Sequence, residues 1–78
     1  MKAKVHVTLK NGVLDPQGQA IRKALKNNDI KGISEVRQGK FFEIELDSAD
    51  DAEEKIKEAC EKLLANTVIE NYDFELLR

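Results

Sequence analysis

The chain has 78 residues and a mass of 8.8 kDa. That is enough for one small domain over 1–78, which buries only about 60% of the surface its unfolded form exposes. Apolar residues make up 41% and charged ones 36%, a balance that excludes a disordered chain and, with no apolar run near the roughly 20 residues of a membrane helix, a spanning one. The single Cys excludes an internal disulfide, and the net charge of −2 excludes a generally basic nucleic-acid binder.

Charge is divided along the chain. Residues 1–40 carry nine Lys/Arg and three Asp/Glu, a net +6; residues 41–78 carry four and twelve, a net −8. This gives two solvated faces of opposite sign, or a self-complementary pair in which the basic half of one copy meets the acidic half of another. A core this small supplies about 3–5 kcal/mol, so oligomerisation or docking on a larger partner is the expected further source of stability.

Residues 2–10 alternate, with Ala3, Val5, Val7 and Leu9 on one side and Lys4, His6 and Thr8 on the other, the period of a strand with one buried face. This alternation leaves no long apolar block for an export signal, and with a single unpaired Cys it points to the cytoplasm. Asn11-Gly12 ends the strand. Asp15-Pro16 opens a helix: Pro lacks an N–H where none is needed, and Asp15 accepts from the free N–H groups. The helix runs to about Asn27-Asn28 with an apolar stripe of Ala20, Ile21, Ala24 and Leu25, and Arg22, Lys23 and Lys26 facing water. Gly18 in its first turn, about 1 kcal/mol worse than Ala, implies close backbone approach or a distorted turn.

Ile33–Arg37 leans to strand, Gln38-Gly39 is a turn signal, and Lys40–Leu46 alternates with Phe42, Ile44 and Leu46 inward. These pieces predict a hairpin, with Gly39 free to take positive φ. Ser48 is the expected cap of a second helix, with Asp51 as its capping-box partner. Ala52, Ile56, Ala59, Cys60, Leu63 and Leu64 form its apolar stripe, and Asn66 stops it. Val68, Tyr72, Phe74 and Leu76 favour a last, irregularly started strand.

The order β-α-β-β-α-β predicts an α+β two-layer sandwich: a four-stranded antiparallel sheet in the ferredoxin-like order 4-1-3-2, with two helices on one face. The other face is left open. It sets Lys4, His6 and Thr8 beside Phe41, Glu43 and Glu45.

Chemistry-bearing patterns are nearly absent. His6 stands alone on an exposed strand face, and Cys60 falls on an apolar helix stripe where a thiol packs as a small hydrophobe. There is no C-x-x-C, no glycine-rich phosphate loop, and the acidic run at 47–54 lacks the glycine of a calcium loop. RNA-reading sheets need aromatics on both central strands, and only Phe41 is offered. The expectation is no catalytic, cofactor or metal residue in this chain, no nucleic acid and no membrane.

Three segments carry a family resemblance. Leu9-Lys10-Asn11-Gly12-Val13-Leu14-Asp15-Pro16-Gln17-Gly18, Val36-Arg37-Gln38-Gly39-Lys40 and Cys60-Glu61-Lys62-Leu63-Leu64-Ala65-Asn66-Thr67-Val68-Ile69-Glu70 closely resemble the first loop, the hairpin and the second-helix exit of the PurS family, at matching spacing over nearly the whole chain. Thr67 departs from the Pro usual in that family and weakens the helix stop slightly. The resemblance implies the small, non-catalytic subunit of phosphoribosylformylglycinamidine synthase in de novo purine biosynthesis. It implies a homo-dimer or homo-tetramer that bridges a glutaminase subunit and a large synthetase subunit and supports ammonia transfer. ATP, magnesium and glutamine are then used by the partner subunits. The candidate partner contacts are Asp15, Gln17 and Gly18 in the first loop and Arg37, Gly39, Lys40 and Phe41 at the hairpin. Arg37 leads, because its guanidinium fork suits carboxylates and carbonyls. A regulatory small-molecule-binding module of the ACT type, which shares the element order, is the alternative.

Overall fold

A computed structural model describes all residues, Met1–Arg78. Three strands and two helices follow in the order β1 (Lys2–Leu9), α1 (Pro16–Asn27), β2 (Gly39–Glu45), α2 (Ala52–Ala59) and β3 (Glu70–Leu77). A π-helical turn, Cys60–Leu64, prolongs α2. β1 is central and antiparallel to both neighbours, so the sheet reads β2-β1-β3. Its register pairs Val5 with Phe42 on one side and Phe74 on the other.

The alternation of β1 does what its period requires. Ala3, Val5 and Val7 are fully buried, and they pack with Ile56, Cys60 and Ala65 from the second helical segment. Phe42, Ile44 and Leu46 of the β2 side and Tyr72, Phe74 and Leu76 of β3 are half-buried around this cluster. Burying a side chain such as Ile56 stabilises by about 1.5–3 kcal/mol, so six small and medium residues make a thin core.

Four expectations are corrected. The strand expected at Ile33–Arg37 is not in the sheet, which has three strands rather than four and keeps only the 4-1-3 part of the expected order. No backbone–backbone hydrogen bond engages Lys31–Arg37. Second, the two helices do not share one face: α1 makes no substantial contact with the sheet or with α2. Within it only Gly18 is buried, while Ile21 is 42% exposed. The result is an arm of α1 and the returning chain, and a radius of gyration of 15.9 Å against about 11.5 Å for a compact chain of this length. Third, Gln38-Gly39 makes no hairpin reversal. Gly39 does not take positive φ; its Cβ would lie 2.6 Å from the Val7 carbonyl oxygen, so closeness of β1 selects glycine there. Fourth, Ser48 does not cap α2. Its hydroxyl accepts from the Asp50 N–H at 3.3 Å in a turn, and the helix starts only after Asp51, at φ 53° and with no side-chain cap. Glu53 and Glu54 supply the negative charge its first turn favours.

The Asp15-Pro16 helix start is as expected. Asp15 is the N-cap, Pro16 is the first helical residue, and Asp15 Oδ1 accepts from the Gly18 N–H at 2.8 Å.

Candidate partner interface

The first loop and the start of β2 meet at one end of the sheet. β1 ends there, with Thr8 opposite Gly39, and both flanking segments are tied to each other through side chains. Asp15 is 95% buried; its second oxygen accepts from the Gln38 N–H at 2.7 Å. Two backbone donors, Gln38 first and Gly18 second, with the Arg37 charge nearby, hold this carboxyl below its ordinary pKa. Arg37 spreads its guanidinium over two carbonyl oxygens of the loop, Nη1 to Val13 at 2.9 Å and Nη2 to Lys10 at 3.2 Å. Its fork is thus occupied within its own chain, and it fixes the loop from the β2 side.

Gly18 is required by the same junction. A Cβ there would collide with the Val36 carbonyl oxygen and sit 2.7 Å from Asp15 Oδ2. The close approach expected of this glycine is therefore to the chain returning from α1. Lys40 reaches Glu70 at 3.7 Å and joins the start of β3 to the same end. Between these elements lies a shallow notch of about 270 Å³, lined in part by Leu14, Asp15, Gln17, Gly39, Lys40 and Glu70.

The structure therefore brings Asp15, Gln17, Gly18, Arg37, Gly39 and Lys40 together. It sets Phe41 apart, on the open sheet face, half exposed and 4.8 Å from the His6 ring. His6 Nδ1 lies 3.6 Å from Asp73 Oδ1. Further along the same face, Lys2 reaches Glu43 and Glu45 at 3.7 and 3.8 Å.

Sequence reasoning missed Leu14 and Glu70 as notch walls. Leu14 is 65% exposed, and a Leu between Val13 and Asp15 in a loop is a signal that can be read: an apolar side chain with no periodic partner. Glu70 gives no such signal, because its place depends on the tertiary turn that Asn66 organises. The Asn66 carbonyl accepts from the Ile69 and Glu70 N–H groups, and its own N–H donates to Glu70 Oε1 at 2.7 Å.

No group of three or more His, Cys, Asp or Glu side chains is placed to hold a metal ion. No helix is long and apolar enough to cross a membrane. Cys60 is buried, and burial pushes its thiol pKa up, away from nucleophilic range. The arrangement presents backbone edges, a notch and a bare helical arm, and these define an association module: a small accessory subunit.

Known proteins give that class its particulars. The family model PurS, phosphoribosylformylglycinamidine (FGAM) synthase, matches residues 2–78. The chain is 49% identical over 76 residues to the phosphoribosylformylglycinamidine synthase subunit PurS of Bacillus subtilis, covering 96% of this chain and 90% of that one. The solved structure of B. subtilis PurS superposes with a TM-score of 0.91 at 47% identity, over 99% and 98% of the two chains. A chain in the structure of PurLQS from Thermotoga maritima matches with a TM-score of 0.76 at 31% identity, over 97% and 95%. The chain belongs to the PurS family. It is a subunit of phosphoribosylformylglycinamidine synthase, in purine biosynthesis, and this displaces the regulatory ligand-binding alternative.

Proposed function

We propose that this subunit is a non-catalytic adaptor that joins the glutaminase and large synthetase subunits and supports transfer of ammonia between them. ATP, magnesium and glutamine are handled by those partners, and this chain binds none of them. It works in the cytoplasm as a homo-dimer or homo-tetramer. The observation that carries this reading is the junction at the end of the sheet. Buried Asp15 and the Arg37 fork hold two segments rigidly together, while Leu14 and the Gln17–Lys40 notch beside them face solvent. A rigid, partly apolar ledge with no catalytic group suits docking. Asp15, Gly18, Arg37 and Gly39 build the ledge; Gln17, Lys40 and Phe41 offer side chains to partners.

Chemistry supplies the need. Ammonia near neutral pH is mostly protonated and then is no nucleophile, so passing it between subunits demands a junction that excludes water. A small third chain can close such a junction by shape alone.

Reconstitution tests the proposal. The large synthetase and glutaminase chains are assayed with and without this chain, with glutamine or with ammonium as nitrogen source. Omission of this chain abolishes glutamine-dependent turnover and spares much of the ammonium-dependent rate. Glutamine-dependent turnover at full rate without it overturns the adaptor role. Lys40→Glu lowers glutamine-dependent turnover at limiting subunit concentration, and excess of the variant chain restores it.

A further inference from the structure

The turn after β1 carries a dipeptide that the docking ledge does not use. Asn11 and Gly12 are the central residues of a β-turn over Lys10–Val13, closed by the Val13 N–H donating to the Lys10 carbonyl at 3.2 Å. Gly12 has φ +86° and Asn11 is not among the residues of positive φ, which makes this a type II turn, with ψ of about +120° at its first central residue. Both residues are exposed. The Asn11 side chain makes no hydrogen bond, and the Gly12 N–H donates none. A Cβ at Gly12 would meet nothing within 4 Å, so its nitrogen is open to approach. The other four asparagines lack this combination. The N–H after Asn27 donates to the Ala24 and Leu25 carbonyls, and the N–H after Asn28 to the Lys26 carbonyl. Asn66 Oδ1 accepts from the Val68 N–H, and Asn71 lies within β3.

We propose that Asn11 is a spontaneous deamidation site that the Arg37 clamp holds shut. The Gly12 nitrogen attacks Asn11 Cγ and forms a cyclic imide, favoured because the nucleophile is tethered to its electrophile and carries no neighbouring Cβ. The Cγ–Nδ2 bond breaks, and Nδ2 leaves as ammonia with the proton lost from the Gly12 nitrogen. Water then opens the ring. Cleavage on the Cγ side leaves aspartate; cleavage on the α-carbonyl side leaves isoaspartate, whose main chain runs through Cβ and Cγ. The conversion needs only water, so the site stands apart from the adaptor reading.

Geometry sets the rate. Ring closure requires the Gly12 nitrogen to swing towards Cγ, which takes Asn11 ψ round to negative values and out of the type II turn. Arg37 opposes this by holding both ends of the turn, Nη2 on the Lys10 carbonyl at 3.2 Å and Nη1 on the Val13 carbonyl at 2.9 Å. A planar guanidinium has a fixed fork, so the turn cannot rearrange without giving up at least one of these charge-assisted bonds. Modification then works against its own guard. Isoaspartate adds a carbon to the main chain between the two carbonyls, and one guanidinium no longer spans both. Deamidation is therefore a one-way loosening of the loop that fixes the base of α1.

Peptide mapping by mass spectrometry tests this, with isoaspartate counted by an isoaspartyl methyltransferase and a labelled methyl donor. Wild type, Arg37→Ala and Ile56→Ala are aged in mildly alkaline buffer at one temperature, below all three melting points. Wild type gains aspartate and isoaspartate at position 11 ahead of the other asparagines. Arg37→Ala gains them about tenfold faster, since one hydrogen bond to a charged group is worth at least that factor. Ile56→Ala, which loosens the core and leaves the loop alone, ages at the wild-type rate, and the urea-unfolded chain gives the unguarded ceiling. An Asn11 that stays amidated in both folded wild type and Arg37→Ala overturns the site. Equal rates in those two, or an equal rise in Ile56→Ala, overturn the guard. The purified isoaspartate form loses hydrogen-exchange protection at the Val13 amide; full protection there would show the clamp intact and overturn the one-way loosening.

Discussion

Gly18→Ala sets two effects against each other, and the structure decides between them. Gly18 is the third residue of α1, and helix propensity alone favours Ala there by about 0.5–1 kcal/mol. Against this, the new methyl group meets the Val36 carbonyl oxygen and the Asp15 carboxylate at once. The first is backbone and cannot rotate away; the second is held by two N–H donors. Overpacking of this kind costs about 1–3 kcal/mol. The clash wins, for a net loss of roughly 0.5–2 kcal/mol. In a domain of this size each 1 kcal/mol lowers Tm by about 4–8 °C. Melts followed by circular dichroism measure the loss, at one fixed protein concentration so that the self-association proposed above does not shift Tm between samples. The Gln38 amide resonance provides the local readout, since Asp15 must move to admit the methyl group. Gly12→Ala is the control. Its Cβ meets nothing within 4 Å, but its φ is +86°, so it costs about 1–2 kcal/mol through backbone conformation alone and leaves Gln38 in place. A Gly18→Ala protein that melts at or above wild type, with Gln38 unmoved, refutes the close seating of the arm on the Asp15 loop.

Three further outcomes follow from named contacts. Ile56→Ala removes the largest fully buried side chain of the core and costs about 2–5 kcal/mol, measured by urea unfolding; a loss below about 1 kcal/mol would mean that α2 does not anchor the sheet. The Asp15 carboxyl is held below its ordinary pKa by the Gln38 and Gly18 N–H groups. Its stabilising effect is therefore complete above the ordinary carboxylate range and lost as pH falls through the lowered value. The Gly18 and Gln38 amide shifts of wild type move only at such low pH, whereas Asp15→Asn shows no such titration and has both amides displaced at neutral pH. Cys60 is fully buried with its pKa raised by that burial, so a thiol reagent labels it at the rate of unfolding; prompt labelling of the folded protein contradicts its place in the core.

Local patterns were legible where a single period or a single cap determines the structure. The alternation of Ala3, Val5 and Val7 placed β1 and its buried face, because a strand with one face in the core has no other way to sort its side chains. Asp15-Pro16 fixed the start of α1 to the residue. Cys60 was legible as core from its place on the stripe. The errors came where a local signal competed with a distant contact. Gln38-Gly39 has turn composition, but the Gln38 N–H is taken by Asp15, twenty-three residues earlier, and Gly39 is small because Val7 passes close. Strand alternation, by contrast, placed Phe41 on the open face beside His6, where the structure has it. Arg37 was read as a partner contact because its fork suits carboxylates and carbonyls; within the chain that fork meets the Lys10 and Val13 carbonyls across the loop, and no pattern in the sequence states that distance.

The way the arm is held bears on what it can do. A free helix of twelve residues is marginal in water, and α1 buries almost nothing along its length. Its base, by contrast, is fixed by four hydrogen bonds, two accepted by Asp15 and two donated by Arg37. A segment tethered at one end and bare elsewhere has its direction set in advance while its faces stay free. Association then orders fewer backbone torsions than a floppy loop of equal length, at about 1–2 kcal/mol for each residue already fixed. Loosening the base therefore weakens assembly without touching any residue at the contact. Arg37→Ala separates the two roles: it frees the Lys10 and Val13 carbonyls, leaves the β1–β3 pairing and the core intact, and lowers the affinity of assembly through the arm's lost orientation. Hydrogen exchange resolves the effect, with faster exchange confined to residues 16–28 in the variant and unchanged rates in β1. Equal exchange in α1 with and without Arg37 would show that the clamp does not orient the arm.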